Sequence, residues 1–481
     1  MEELVQEGLN ALQALGVDYG EVRAEHHTAE NVSVKNREVD SLSRRESCGI
    51  GIRVLHKGAW GFAATGDTGK AAIARAAESA FAIAQATARV QRERVELAPE
   101  PAHRATFATS YRRDPLAVPL TEKLDLLFAC AARILAVQGV AMAKGSIAAW
   151  RVDKVFGNTT GSLIQQSLTS CGAGIEAYAA KGGEFQRRSY PCAFGGNYAS
   201  AGYEFIEGLD LLGHASRVGE EAAALLSAPV CPTGVFDIIL EGSQLALQVH
   251  ESVGHPTELD RVLGTELSYA GGSFLSLDKR GTFRYGSDLV SIVADATVPG
   301  ALGSFGYDDE GVPSQRVDLV KEGLFVGYLT SRETAPKLGA RRSGGAARAA
   351  SWARIPLVRM TNINLLPGEG TLDDLIRDTK HGIYFETNKS WSIDDRRVNF
   401  QFGTEIAWEI VDGRKIRILK NPLYTGITPQ FWASCVAIAG PEEWHMWGVP
   451  NCGKGEPGQT MQVGHGTSPA KFARVQVRGA G

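Results

Sequence analysis

Apolar and polar positions follow two rhythms along this chain, and the balance between them shifts near residue 230. In the first part, Leu4, Val5, Leu9, Leu12 and Leu15 recur at helical spacing and stop at Gly16, which predicts an opening helix. Ile50, Ile52 and Val54 alternate as a half-buried strand does, with Trp60 and Phe62 continuing nearby. Asp67 or Thr68 is placed to cap an Ala-rich helix that runs to about Val90. Further helices are expected from Thr121 to about Gln138 and from about Phe205 to Ser227. Residues 140–203 between them read as hairpins, with turns at Gly157-Asn158 and Lys181-Gly182-Gly183.

Past Cys231-Pro232 the pattern becomes mostly strand-like. Gly234 to Glu241 is an apolar run of strand type. Ser243 to Val249 reads as a Ser-capped helix with Leu245 and Val249 on one side. Leu289 to Val293, Gly327 to Thr330 and Ala407 to Val411 are further strand candidates. The expected class is α+β: a mixed N-terminal domain over 1–230 and a β-rich C-terminal domain over 231–481. Residues 340–352 (ARRSGGAARAASW) look mobile and read either as a lid or gate near the site or as a surface loop, with base rates favouring the loop.

Composition narrows the class of function. A chain of 481 residues is long enough for two or more cores. A net charge of −4 without any long basic run argues against a nucleic-acid surface. No apolar run approaches the roughly 20 residues that cross a bilayer, and the acidic amphipathic start is unlike a signal peptide, so a cytoplasmic protein is expected. Seven cysteines without regular spacing do not suggest a disulfide framework, and most read as small buried hydrophobes.

The strongest chemical signal is His250-Glu251-Ser252-Val253-Gly254-His255, an H-E-x-x-x-H pattern. Two imidazoles can hold zinc, and the carboxylate beside the first can take a proton from a water that the metal activates. In a regular helix, side chains five residues apart diverge by roughly 140°. Both histidines reach one ion only if the helix widens by a π-bulge or ends before the second. Gly254 and Pro256 flank His255 and favour the second route.

A catalytic zinc usually keeps three protein ligands, so one is missing. Cys435 lies in an apolar strand and reads as core. Cys452 lies in a polar Gly-rich stretch, Pro450 to Gly458, where Lys454 would favour its thiolate; it reads either as a ligand or as an exposed loop cysteine. His465 reads as a ligand, as a donor to the reacting carbonyl oxygen, or as a loop histidine without a catalytic task. Glu258 and Asp260 are placed to hydrogen-bond a ligating histidine or to face water.

Several blocks, in order, resemble the TldD/PmbA family of metallopeptidases on its TldD side. They are Gly49 to Val54, Gly58 to Thr65, the His250–His255 motif, Asp308 to Pro313 with Gly323-Leu324 and Gly327 to Leu329, and Cys452-Gly453-Lys454. The resemblance implies Zn2+ held by His250, His255 and Cys452, with Glu251 as general base. It also implies a dimer, either a homodimer or a heterodimer with a PmbA-like subunit, acting on peptides or unfolded segments. Pro256 to Asp260 and Lys454 to Gly458 depart from the best-known members, which bears on substrate and pairing rather than on zinc. The function expected is therefore a zinc-dependent peptidase without a covalent intermediate. The alternative is a non-catalytic peptide-binding or partner subunit with a structural zinc.

Overall fold

The computed structural model describes residues 1–479. Its N-terminal half is one eight-stranded sheet built on long antiparallel strands. Tyr19–Lys35 lies between Glu38–His56 and Val140–Asn158, and Leu163–Lys181 extends the sheet. Successive side chains on a strand face opposite ways, so each strand divides its residues between two environments. Val22, Ala24, Val32 and Val34 all point to one face and are buried there by helices. Helices Glu2–Leu15 and Lys70–Val90 cover one end of that face, and Leu120–Leu135 and Leu211–Leu225 cover the other. Gly61 is required because a Cβ there would stand 2.0 Å from the Ala80 carbonyl oxygen. Glu21, Arg23 and Glu25 point to the opposite face, where the C-terminal half packs.

The C-terminal half is built around a sheet that closes on itself. Gly234–Leu240 pairs with His381–Ile393 in parallel and with Ala470–Gly479 antiparallel. Pro422–Ile427 and Asn399–Val411 complete the ring back to His381–Ile393. Ile238, Leu240, Phe385, Phe402, Tyr424 and Phe472 pack in a shared core, so the ring is a filled barrel, not a pore. A second sheet carries Ile292–Asp295, and the hairpin His445–Lys454/Gln459–Thr467 lies beside it. The fold is α+β, as expected. Among the described residues no helix is long and apolar enough to cross a membrane.

Several local expectations are corrected. The helix expected over 205–227 is two, Tyr203–Gly208 and Leu211–Leu225. The break falls at Asp210, whose φ of +47° is left-handed and whose carboxylate caps the second helix at Gly213 N. Gly69 precedes helix Lys70–Val90, and Asp67 only braces that turn by accepting from Gly69 N. Glu241, not Ser243, is the cap of helix Gly242–Val249, accepting from Ser243 N and Gln244 N. Gly327 to Thr330 is not a regular strand; Leu329 makes a single bridge to Glu258. The 340–352 stretch is largely interior: Ala346, Ala347, Arg348 and Ala349 are buried. Asp308 and Asp309 accept from the N–H groups of Ala347 and Ala349. Small side chains, which suggest mobility in a sequence, here allow backbone to approach buried carboxylates.

Candidate metal centre

The His250 motif follows directly from the barrel strand Gly234–Leu240, through helix Gly242–Val249. The helix does not stop before His255. It widens into a π turn over His250–Gly254, in which the His255 N–H donates to the His250 carbonyl, and then tightens over His255–Thr257. The widened turn brings residues five apart to one side, so the route is the π-bulge and not the early stop favoured from the sequence. Gly254 serves a different purpose from the one expected. Its φ is helical, but a Cβ would lie 2.1 Å from Met360 Sδ, so glycine lets the turn press against that side chain. Carbonyls freed by the widening are taken by Thr257 Oγ1, which donates to Val253 O and Gly254 O, and by the Tyr285 hydroxyl, which donates to Ser252 O.

Cys452 lies on strand His445–Lys454, not in a loop. The pairing with Gln459–Thr467 carries one extra residue between Val449 and Cys452, a bulge of the kind that re-aims side chains. The structure thus brings together three of the residues singled out from the sequence: one donor atom each from His250, His255 and Cys452 lies within 4.8 Å of the others. All three are at most 5% exposed. Cys435 is buried in the core, as expected.

Each imidazole is held from behind. His465, on strand Gln459–Thr467, is fully buried, with Nδ1 3.3 Å from the Ile363 carbonyl and Nε2 2.7 Å from His250 Nδ1. A carbonyl only accepts, so His465 Nδ1 carries the proton and its Nε2 accepts from His250 Nδ1–H. That leaves the His250 Nε2 lone pair unprotonated. His255 Nδ1 is 3.0 Å from Glu258 Oε2, which likewise only accepts, and His255 Nε2 lies 3.9 Å from Cys452 Sγ. Both ring nitrogens that remain therefore carry lone pairs that could hold a metal ion. His465 thus backs His250 from strand Gln459–Thr467, a placement that none of the three readings of it from the sequence described.

Electrostatics favour a thiolate at the third position. Burial alone would raise the Cys452 thiol, but His250, Arg359 and His255 outweigh it and hold the thiol well below its usual range. The expected helper, Lys454, is instead fully buried among Asp260 at 2.8 Å, Glu258 at 3.2 Å and Glu266 at 3.3 Å. Burial pushes His255 and His465 well below the ordinary imidazole range. Burial also disfavours charge on His250, but the neighbouring Cys452 outweighs it and raises that group.

Glu251 faces the same cavity of about 410 Å³ as the three donors, with Trp391 and Phe194 on the wall. Its carboxylate contacts Nη1 of Arg397, a residue that sequence reasoning missed.

Residues 233–479 match the PmbA/TldA metallopeptidase C-terminal domain, 20–84 match domain 1 and 113–228 match the central domain. A metalloprotease of Methanothermobacter thermautotrophicus is 30% identical over 463 residues, covering 96% of each chain. A zinc metalloprotease TldD homolog of Saccharolobus solfataricus is 27% identical over 248 residues, 51% of this chain and 52% of that protein. The fold is shared with TldE from Thermococcus kodakarensis, at a TM-score of 0.72 and 18% identity, over 100% of both chains. With the C-terminal match alone spanning more than half of its residues, the chain belongs to the PmbA/TldD family of metallopeptidases.

Proposed function

We propose that this chain is a zinc-dependent peptidase in which His250, His255 and Cys452 hold the metal and Glu251 is the general base. The observation that carries this reading is the convergence of two unprotonated imidazole nitrogens and an acidified thiol on one buried point beside a carboxylate. Two nitrogens and a thiolate form a donor set suited to zinc, and three protein ligands leave a position open for chemistry. Bound there, zinc would acidify a water and polarise the scissile carbonyl.

The protein's own part is then defined. His465 and Glu258 fix the ring orientations of the two histidines. Glu251 takes the proton of the attacking water and passes it to the leaving amine nitrogen. Because His465 spends both ring nitrogens on Ile363 and His250, it does not complete a four-ligand structural site, which weighs against a purely bracing zinc. We further take 1–230 as a supporting domain and 231–481 as the domain that carries the site, in a cytoplasmic dimer acting on peptides or unfolded segments. Separate cores for the two sheets support that division. The zinc-metalloprotease name of the Saccharolobus solfataricus relative supports the choice of metal.

Elemental analysis of wild type and Cys452→Ser tests the site. About one zinc per chain is expected in wild type, with a clear loss in the variant. Glu251→Gln should keep its metal while peptide cleavage falls by about 10²–10⁴-fold. Full zinc in Cys452→Ser would remove Cys452 from the site, and unchanged cleavage by Glu251→Gln would remove the proposed base.

A further inference from the structure

We propose that Arg397 is the donor that stabilises the negative oxygen formed when the substrate carbonyl is attacked. The inference rests on the reading of Glu251 as general base and adds a catalytic residue to it.

Arg397 sits at the turn between strands His381–Ile393 and Asn399–Val411. Its φ is +66°, a left-handed conformation uncommon for a side-chain-bearing residue and often found at functional sites. The turn is held from several sides. Asp394 accepts from the N–H groups of Arg396, Val398 and Asn399 at 3.1, 2.9 and 2.8 Å. The Arg397 carbonyl accepts from Thr428 Oγ1 at 2.7 Å, and Arg397 N donates to Asp394 O at 2.8 Å. The backbone is fixed, and the guanidinium alone extends to the site.

There Nη1 contacts Glu251 Oε2, while Nε is buried and has no hydrogen-bond partner. A guanidinium carries five N–H donors, and only Nη1 has a partner here, so donor capacity remains for a further acceptor. Among the described residues that line the metal-centre cavity, Arg397 is the only Lys or Arg. The other donor considered from the sequence, His465, is already committed to His250.

A cation resting on the carboxylate competes with the water that the carboxylate must engage, which by itself would hinder the reaction. Following the charge removes the conflict. The water oxygen bonds to the carbonyl carbon, its proton passes to Glu251, and the carbonyl π pair moves onto oxygen. Glu251 becomes neutral as the substrate oxygen becomes negative, so the guanidinium exchanges one anionic partner for another. The pair then returns, the C–N bond breaks, and the proton on Glu251 passes to the amine nitrogen. Peptide and water give carboxylic acid and amine. Arg397 would thus bind the transition state more strongly than the ground state, which raises kcat rather than lowering KM.

The test uses zinc-loaded full-length wild type, Arg397→Met and Arg397→Lys. Each is assayed on an internally quenched peptide with a free or an amidated C-terminus, and titrated with a phosphinic peptide that mimics the tetrahedral anion. Zinc content should be the same in all three. Arg397→Met should lose about 10²–10³-fold in kcat on both peptides, with a parallel loss of phosphinic-peptide affinity and a small change in KM. Arg397→Lys, which keeps the charge with fewer donors, should recover part of both losses. Wild-type kcat and phosphinic-peptide affinity in Arg397→Met would overturn the role of Arg397 and leave the peptidase reading standing. Loss confined to the peptide with a free C-terminus would also overturn it, assigning the guanidinium to the substrate carboxylate instead. A zinc-loaded wild type that neither cleaves peptide nor binds the phosphinic peptide would sink the peptidase reading, and this proposal with it.

Discussion

Two buried polar clusters in this molecule have similar exposure and opposite character. One joins the N-terminal sheet to the C-terminal half. Arg53 lies 2.6 Å from Glu21 and 2.8 Å from Glu310, and Glu310 also accepts from Arg332 N at 2.6 Å. The Arg332 guanidinium in turn donates to the Tyr19 hydroxyl at 2.8 Å. Every charge in it faces an opposite charge or a hydrogen-bond partner. The other cluster is the candidate metal centre. Its charged and polar partners stand behind the donors, at Glu258 and His465, while the donor atoms of His250, His255 and Cys452 face one another. Mutual pairing makes a brace, whereas lone pairs that converge from a supported rear make a place for an ion. Burial of polar groups does not separate the two; the direction of the lone pairs does.

The comparison would break most visibly at Arg53. Arg53→Met leaves Glu21 and Glu310 uncompensated in the interior and should cost about 3–5 kcal/mol of stability by chemical denaturation. Zinc bound per folded chain should not change. A folded Arg53→Met protein without metal would mean that the brace and the metal centre are one unit. A smaller effect is expected at the rear of the centre. Glu258→Gln and His465→Phe should each weaken zinc binding by about 10–100-fold, read by competition with a chromophoric chelator. Unchanged affinity in both would reduce these partners to packing.

How legible this was in the sequence differs between the same two kinds of feature. The His250 motif is local, so its residues and its need for a non-standard helix were readable; the choice between widening and stopping was not. The tight packing of that turn against Met360, which approaches Gly254 from far along the chain, is invisible to any local pattern. Cys452 was visible as chemistry but not as strand. Pro450 and Gly453 argue against a strand locally, and pairing with Gln459–Thr467 overrides them. His465 was visible as a candidate but not in its place behind His250, and Arg397 carried no signal at all. One is a single histidine among glycines, 215 residues from its partner, and the other lies in a charged turn that reads as solvated. The closure of the barrel was equally hidden, because it joins Gly234–Leu240 to His381–Ile393 and Ala470–Gly479 across most of the C-terminal half.

Glu241 lies between the two kinds of cluster and gives the smallest effect. It caps the helix that leads to His250, and its partners are Ser243 N, Ser243 Oγ and Gln244 N. Among the described residues no cation pairs with it as Arg53 pairs with Glu21, and it is not a candidate ligand. Burial, reinforced by the nearby Glu386, raises its carboxyl from the usual 4.5 to about 7. A folded-state value above the unfolded one means that the folded protein binds the proton more tightly. The resulting stabilisation is complete below about pH 4.5 and is lost as pH rises through about 7. Glu241→Gln keeps a cap acceptor but cannot ionise, so the difference in stability between variant and wild type should shift in the variant's favour between pH 5 and pH 8. Because the carboxyl keeps partial access to water, that shift should not exceed about 2 kcal/mol. Urea denaturation of both proteins at the two pH values reads it directly. Parallel curves would show that Glu241 is already ionised in the folded state, held by its three donors, and that burial without a cation does not keep this carboxyl protonated.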